Sequence, residues 1–234
     1  MTQTKNEGRA LYLILLGPPG TGKGTQAKLI AERLGVAHVS TGDMFREAVA
    51  QGTELGLRAE AFMERGELVP DEVTIGMLEE RIRQEDAQRG VLFDGYPRTL
   101  QQAQALDAAL ARQGHAADLA LLITTSDEEI VRRLSGRWLC KNCGEIYQEL
   151  TRPPKKAGVC DACGSALFQR DDDKPEVARQ RLEKQRPPEA LLAHYRGQGK
   201  LAEVDGERAV EAVTRELLAA IVRLGAVPSS RERA

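Results

Sequence analysis

The chain has 234 residues, with 33 Lys and Arg against 35 Asp and Glu, a formal charge of −2, and 41% hydrophobic but only 4% aromatic residues. That composition suffices for one large α/β core carrying small inserts, and it gives no support for a general nucleic-acid-binding surface, so any anion site must be a local cluster of cations. Neither the polar residues 1–9 nor any later stretch offers the roughly 18 apolar residues of a spanning helix, so neither secretion nor membrane insertion is expected.

Strand and helix patterns alternate, which predicts a parallel sheet covered by helices. Residues 11–16 are a continuous apolar run of the kind a fully buried strand needs, and the run stops at Gly17. A helix is expected over 23–34, a weaker strand over 37–39, and helices over 41–50 and 54–64. The next helix, 71–83, opens after Pro70 with acids in its first turn. Strands at 91–93 and 119–124 bracket a helix at 99–112. Ser126 and Glu129 make a capping box for a helix running to about Leu134.

At Gly136 the rhythm breaks. Residues 137–173 contain short β-like pieces, 138–139 and 146–147, among Pro153, Pro154 and glycines, which is the pattern of a small inserted subdomain. Helix resumes at Pro175 and runs to about Tyr195, broken or bent by Pro187 and Pro188. A strand at 201–204, a turn at Asp205-Gly206 and an amphipathic helix at 209–224 close the sheet. The tail after Gly225 is expected to fray.

All four cysteines lie in the insert, as Cys140-x-x-Cys143 and Cys160-x-x-Cys163. Four thiolates at that spacing suit one tetrahedral Zn²⁺, and two disulfides are the alternative. Gly144 and Gly164 directly behind each pair fit zinc knuckles, and an intracellular, cytoplasmic chain is the corresponding expectation.

After the first strand comes Gly17-Pro-Pro-Gly20-Thr21-Gly22-Lys23-Gly24-Thr25, which matches the phosphate-loop pattern at its two required Gly and its Lys. Glycines let backbone N–H groups turn onto phosphate oxygens, the following helix adds its dipole, and Lys23 adds a mobile charge. A nucleoside triphosphate is the implied ligand. Gly24 stands where the general motif has Ser or Thr, and Thr25 follows it, so the motif alone does not fix which hydroxyl would meet Mg²⁺.

Three further motifs follow: Ser40-Thr41-Gly42-Asp43-Met44-Phe45-Arg46, Leu68-Val69-Pro70-Asp71, and Asp94-Gly95-Tyr96-Pro97-Arg98-Thr99 with Gln102. Together with the phosphate loop and the cysteine insert, they resemble the adenylate kinases, in their long-lid, zinc-containing bacterial form, from about Leu11 to Leu224. The resemblance implies a P-loop NTPase-like parallel five-stranded sheet flanked by helices, with a small β-rich zinc-binding lid. It implies a core of residues 1–40, 66–136 and 174–234, a helical AMP-binding subdomain at 41–65 (to about 72), and a lid at 137–173.

The implied reaction is transfer of the γ-phosphoryl group of MgATP to AMP, giving two ADP, by a phosphotransferase with a phosphate group as acceptor. By the same similarity Gly20, Thr21, Gly22, Lys23, Gly24 and Thr25 hold ATP with Arg133 and Arg137. Thr41, Arg46, Met63, Val69, Gly95, Arg98, Gln102, Arg170 and Arg181 face AMP, with Gln102 reading adenine. Lys23, Arg98, Arg133, Arg137, Arg170 and Arg181 surround the transferring group, and Asp94 holds Mg²⁺ through water. Cys140, Cys143, Cys160 and Cys163 hold one structural Zn²⁺. The implied partners are ATP, AMP and ADP, without nucleic acid or membrane, for a monomer.

Arginine suits this task, because its planar fork grips phosphate bidentately and stays charged. Arg133 and Arg137, four apart, would share one helix face and repel unless an anion faces them. The Asp171-Asp172-Asp173 run is read as ion-pair partners at the lid base or as a solvated turn. His38, His115 and His194 are scattered and near no ligand cluster, and no role is assigned to them. Two alternatives remain open at this point: another nucleoside monophosphate kinase, with a different acceptor or GTP as donor, or a non-enzymatic ATP switch whose zinc ribbon binds a macromolecule.

Overall fold

The computed structural model describes residues 9–223. Its central sheet has five parallel strands: β1 Leu11–Leu16, β2 Ala37–Ser40, β3 Gly90–Asp94, β4 Leu119–Thr124 and β8 Leu201–Asp205, in the order β2-β3-β1-β4-β8. Every residue of β1 and β3 is buried. Such unbroken apolar runs belong to strands covered on both faces, and the covering helices supply the reason.

On one face Tyr12, Ile14, Phe93 and Ala120 pack against α4 (Asp71–Arg81), α5 (Leu100–Ala111) and α8 (Glu189–Gly197), through Leu78, Leu106, Leu110, Leu191 and Tyr195. On the other, Leu11, Leu13, Leu15, Leu121 and Ile123 meet α1 (Lys23–Leu34) and α9 (Val210–Arg223), through Ile30, Leu34, Val213, Leu217 and Ile221. Between β2 and α4 lies a helical pair, α2 Thr41–Ala50 and α3 Glu54–Glu64, with its own small core of Phe45, Ala59 and Val69. These two helices approach so closely that a Cβ on Gly56 would stand 2.2 Å from the carbonyl oxygen of Ala48.

Connections after the neighbouring strands β1 and β4 run to opposite edges of the sheet, and open α/β sheets place ligands in the crevice where the connections part. After β4 the chain forms α6 (Asp127–Ser135), then a separate antiparallel sheet of β5 Arg137–Cys140, β6 Ile146–Gln148 and β7 Leu167–Phe168, in the order β6-β5-β7. It returns through a 3₁₀ turn at Asp171–Asp173 into α7 (Pro175–Gln185).

Several expectations need correction. The predicted capping box at Ser126 does not form: the Ser126 side chain caps nothing, its N–H donates to Glu207 at 2.7 Å, and Glu129 is held by Arg132 and Arg133. Arg133 and Arg137 do not share a helix face, because α6 ends at Ser135 and Arg137 opens β5. Each has its own carboxylate, Glu129 and Asp173 respectively. The helix expected from Pro175 breaks rather than bends, with α7 stopping at Gln185 and Pro188 preceding α8. The expected fraying after Gly225 falls outside the described residues.

Candidate active site

The loop between β1 and α1 is built for an anion. Gly22 at the N-cap of α1 takes a left-handed φ of 93°, no side chain caps the helix, and no acid lies in its first turn. Among the described helices α1 alone lacks both, so its leading N–H groups and dipole remain for a ligand. Gly20 (φ +88°) is pressed against α6, where a Cβ would stand 2.9 Å from Leu134, so the loop cannot carry a side chain there. Thr21 is buried, and its hydroxyl donates to the Pro18 carbonyl at 3.1 Å.

Lys23 folds back over this loop, its ammonium donating to the carbonyls of Gly17 (2.6 Å) and Pro18 (2.7 Å). Burial lowers its pKa to about 7, with Asp94 opposing the shift and Arg98, Arg181 and Arg137 reinforcing it. Asp94 ends β3, is 9% exposed, and lies with one oxygen 3.5 Å from where a Cβ on Gly24 would be. A carboxylate therefore stands beside the position where the general motif has a hydroxyl.

Beyond Asp94 opens a cleft. Its walls include Thr41, Arg46, Met63, Val69, Gly95, Arg98, Gln102 and Arg181, eight of the nine residues expected to face AMP; Arg170 is not among them. A smaller cavity lined by Gly17, Lys23, Pro97 and Pro187 shares Gly95, Arg98 and Gln185 with the cleft and so links it to the loop. Thr41 donates its hydroxyl to Gly95 O at 2.9 Å, which fixes the start of α2 against the end of β3.

Cations crowd this crevice. Burial brings the Arg98 guanidinium down to about 10, with Arg181 adding to the effect and Asp94 opposing it. Arg170 is likewise lowered to about 10 by burial and then by Arg46 and Arg137, and its buried Nε has no hydrogen-bond partner among the described residues. Arg46 pairs with Asp43 at 2.6 Å, and Arg170 reaches the same carboxylate at 3.8 Å. Asp173, with none of its surface exposed, takes both arms of Arg137 and lies 3.4 Å from Arg181. Arg181 also pairs with Asp172 at 3.0 Å, and the exposed Asp171 pairs with Lys174 at 2.7 Å. The aspartate run therefore forms ion pairs at the base of the ribbon, the first of the two readings. Arg133 bonds to Glu129 and to the Gly206 carbonyl, and it lines neither the cleft nor the smaller cavity.

In the ribbon the four cysteine sulfurs lie within 4.8 Å of one another, with Cys140–Cys163, Cys143–Cys163 and Cys143–Cys160 at 3.4, 3.5 and 3.6 Å. A disulfide needs sulfurs at about 2.05 Å, whereas Zn–S bonds of about 2.3 Å set tetrahedral edges of about 3.8 Å. The cysteines are free thiols whose arrangement fits one tetrahedral metal. Tyr147 supports them, its hydroxyl 3.5 Å from Cys160 Sγ while accepting the Asp161 N–H at 2.7 Å.

Sequence reasoning missed three neighbours of the site. His38 Nε2 lies 3.4 Å from Asp94, so the reading that no histidine approaches a ligand cluster is corrected; β2 carries it beside β3, register-paired with Leu92. Gln185, 9% exposed, accepts from Arg98 Nη1 at 2.6 Å and donates to Gly66 O at 2.7 Å, binding α7 to the segment after α3. Asp71 accepts from Thr99 and Gln102 at 2.6 and 2.8 Å. Asp71 was visible as an acid opening a helix and as the end of the Leu68-Val69-Pro70-Asp71 motif, but not with its partners, and nothing local marked Gln185 or His38.

Among the described residues no helix is long and apolar enough to cross a membrane. The family model for adenylate kinase matches residues 15–200. An adenylate kinase of Archaeoglobus fulgidus is 47% identical over 215 residues, covering 92% of this chain and 99% of its own. Those of Geobacter sp. strain M21 and Salinispora tropica are each 50% identical, over 90% and 87% of this chain and 99% and 94% of theirs. With a phosphate loop, an adjoining cation-lined cleft and similarity of this extent, the chain belongs to the adenylate kinases, a phosphotransferase family.

Proposed function

We propose that the chain reversibly transfers the γ-phosphoryl group of MgATP to AMP, giving two ADP. The observation carrying this reading is the junction of two anion-suited places in one crevice: the uncapped start of α1 with Lys23, and the cleft edged by Arg46, Arg98 and Arg181. Gly20, Thr21, Gly22, Gly24 and Thr25 offer backbone donors to the triphosphate, and Arg133 and Arg137 complete its surroundings. AMP lies against Thr41, Met63, Val69, Gly95 and Gln102, its phosphate toward Arg46, Arg98, Arg170 and Arg181. A phosphate oxygen would give Arg170 Nε the acceptor it lacks, which relieves a buried unsatisfied donor.

Phosphoryl transfer asks little covalent work of the protein. Alignment of donor and acceptor and neutralisation of the equatorial oxygens do most of it, and fixed guanidiniums achieve both. Mg²⁺, used with ATP by adenylate kinases, would be held near Asp94 and would supply further charge neutralisation. The protein divides into a core (1–40, 66–136, 174–234), an AMP subdomain (41–65, to about 72) and a lid (137–173) that excludes water from the transferring group. It acts as a monomer in the cytoplasm with ATP, AMP and ADP as its partners, and its balanced charge argues against a nucleic-acid partner.

A coupled assay with purified protein tests the central claim. ADP should form from MgATP only when AMP is added; hydrolysis at the same rate without AMP would overturn the reading and favour an ATP switch. Proton linkage gives a second check. Lys23 has lost much of its proton by pH 8 in the free protein and regains it beside phosphate, so MgATP binding should take up a fraction of a proton there. Calorimetry in buffers of differing ionisation enthalpy reads this uptake, which should vanish in Lys23→Met.

Cys140, Cys143, Cys160 and Cys163 hold one structural Zn²⁺, and four protein thiolates leave no open position for water. The ribbon's own core is only Cys140, Tyr147, Cys160, Leu167 and part of Trp138, too small to fold unaided. Cys140→Ser should therefore lower both metal content and melting temperature while part of the activity survives. Loss of ATP binding with the ribbon still folded would count against a purely structural metal.

A further inference from the structure

One wall of the AMP cleft is an amide held from behind. Gln102 borders the cleft yet is only 2% exposed. Its Oε1 accepts the Arg98 backbone N–H at 2.7 Å, and its Nε2 donates to Asp71 Oδ1 at 2.8 Å. A peptide N–H can only donate and a carboxylate can only accept, so these partners determine which end of the amide is which. Turned over, the amide would set NH₂ against N–H and carbonyl against carboxylate, replacing two bonds with two repulsions.

Asp71 has a second partner, on which its acceptor-only character does not depend. Its Oδ2 accepts the hydroxyl of Thr99 at 2.6 Å, and Thr99 caps α5 by accepting the Gln102 N–H at 3.1 Å. Asp71 opens α4 and does not line the cleft, so any effect it has on a ligand passes through Gln102.

We infer that Asp71 is a specificity-positioning residue, which by locking the Gln102 amide selects a 6-aminopurine nucleotide over a 6-oxopurine one as phosphoryl acceptor. Each end of the amide keeps one further valence, an N–H on Nε2 and a lone pair on Oε1, in a fixed order. A 6-aminopurine presents a ring-nitrogen acceptor next to an exocyclic N–H donor and pairs bidentately with such an amide. A 6-oxopurine puts a carbonyl acceptor where that donor was. A free amide would turn over to suit it; the locked one leaves buried polar groups unpaired, which is how sites reject near-isosteres strongly. The inference rests on the reading of this cleft as the AMP site.

The test is kcat/KM for AMP and for inosine monophosphate, with MgATP as donor, in wild type, Asp71→Asn, Asp71→Ser and Thr99→Ala. Asn and Ser can donate as well as accept, so both remove the carboxylate half of the lock and leave only the Arg98 N–H to orient the amide, and whichever folds serves. The AMP-to-inosine ratio should fall by roughly tenfold to a hundredfold in these variants, with KM rising for AMP and falling for inosine monophosphate. Thr99→Ala weakens the α5 cap but leaves a carboxylate opposite Gln102 Nε2, and should keep the wild-type ratio. An unchanged ratio in both Asp71 variants, with the two KM values moving together, would overturn the lock alone. So would an equal collapse in Thr99→Ala. Failure of the wild-type chain to use AMP would instead overturn the reading of the cleft, and the lock with it.

Discussion

Lys23→Met should lower phosphoryl transfer by roughly 10²–10³-fold in kcat, the scale seen when one preorganised donor to developing charge is lost. The protein should stay folded. Lys23 has a folded pKa of about 7 against an ordinary 10.5, so between those values the unfolded chain binds the extra proton and stability rises with pH. At pH 7 and below the partly buried ammonium opposes folding, and an apolar chain of similar length removes that opposition. The melting temperature at pH 7 should be equal to or above that of wild type, while turnover in a coupled assay collapses. Near-wild-type turnover would remove Lys23 from the mechanism, and a large drop in melting temperature would mean that its bonds to Gly17 and Pro18 hold the loop together.

The second large effect is expected at Asp173, and it is one of stability. This carboxylate is wholly buried between Arg137 and Arg181. Removing one member of a buried pair leaves the others as uncompensated charge, at a cost of about 3–5 kcal/mol. Asp173→Ala should lose that much in denaturant unfolding, and Asp173→Asn, which keeps an acceptor, should lose less. Both should also reduce transfer, since two arginines would no longer be held. A loss under about 1 kcal/mol in Asp173→Ala would show that Asp172 and solvent suffice for the two guanidiniums.

What could be read from the sequence follows from how local the signal was. The unbroken apolar runs of β1 and β4 identified covered strands because period and length speak for themselves, and the phosphate loop sits in nine consecutive residues. The cysteine pairs pointed to a four-thiolate site by their spacing and the glycine behind each, with two disulfides as the alternative that the free, clustered sulfurs exclude. The Ser126 capping box failed because a carboxylate 81 residues away, Glu207, reached the N–H first. Gln185 and Arg98 are 87 residues apart, Gln102 and Asp71 31 apart, and His38 meets Asp94 only because β2 lies beside β3. No periodicity marks such partners. The arginines were legible only through the motifs around them, since a lone Arg in sequence is ordinarily a surface residue.

The gathered cations have a consequence for the life of the protein. Each of Arg46, Arg98, Arg137, Arg170 and Arg181 lowers the pKa of another of the group or has its own lowered by one, so the fold carries internal repulsion that phosphates relieve. Ligands that bind only the native form add to its durability by mass action. A chain starved of nucleotide is therefore the softer form, more readily opened and cut by proteases, and the supply of its own substrates governs how long it lasts.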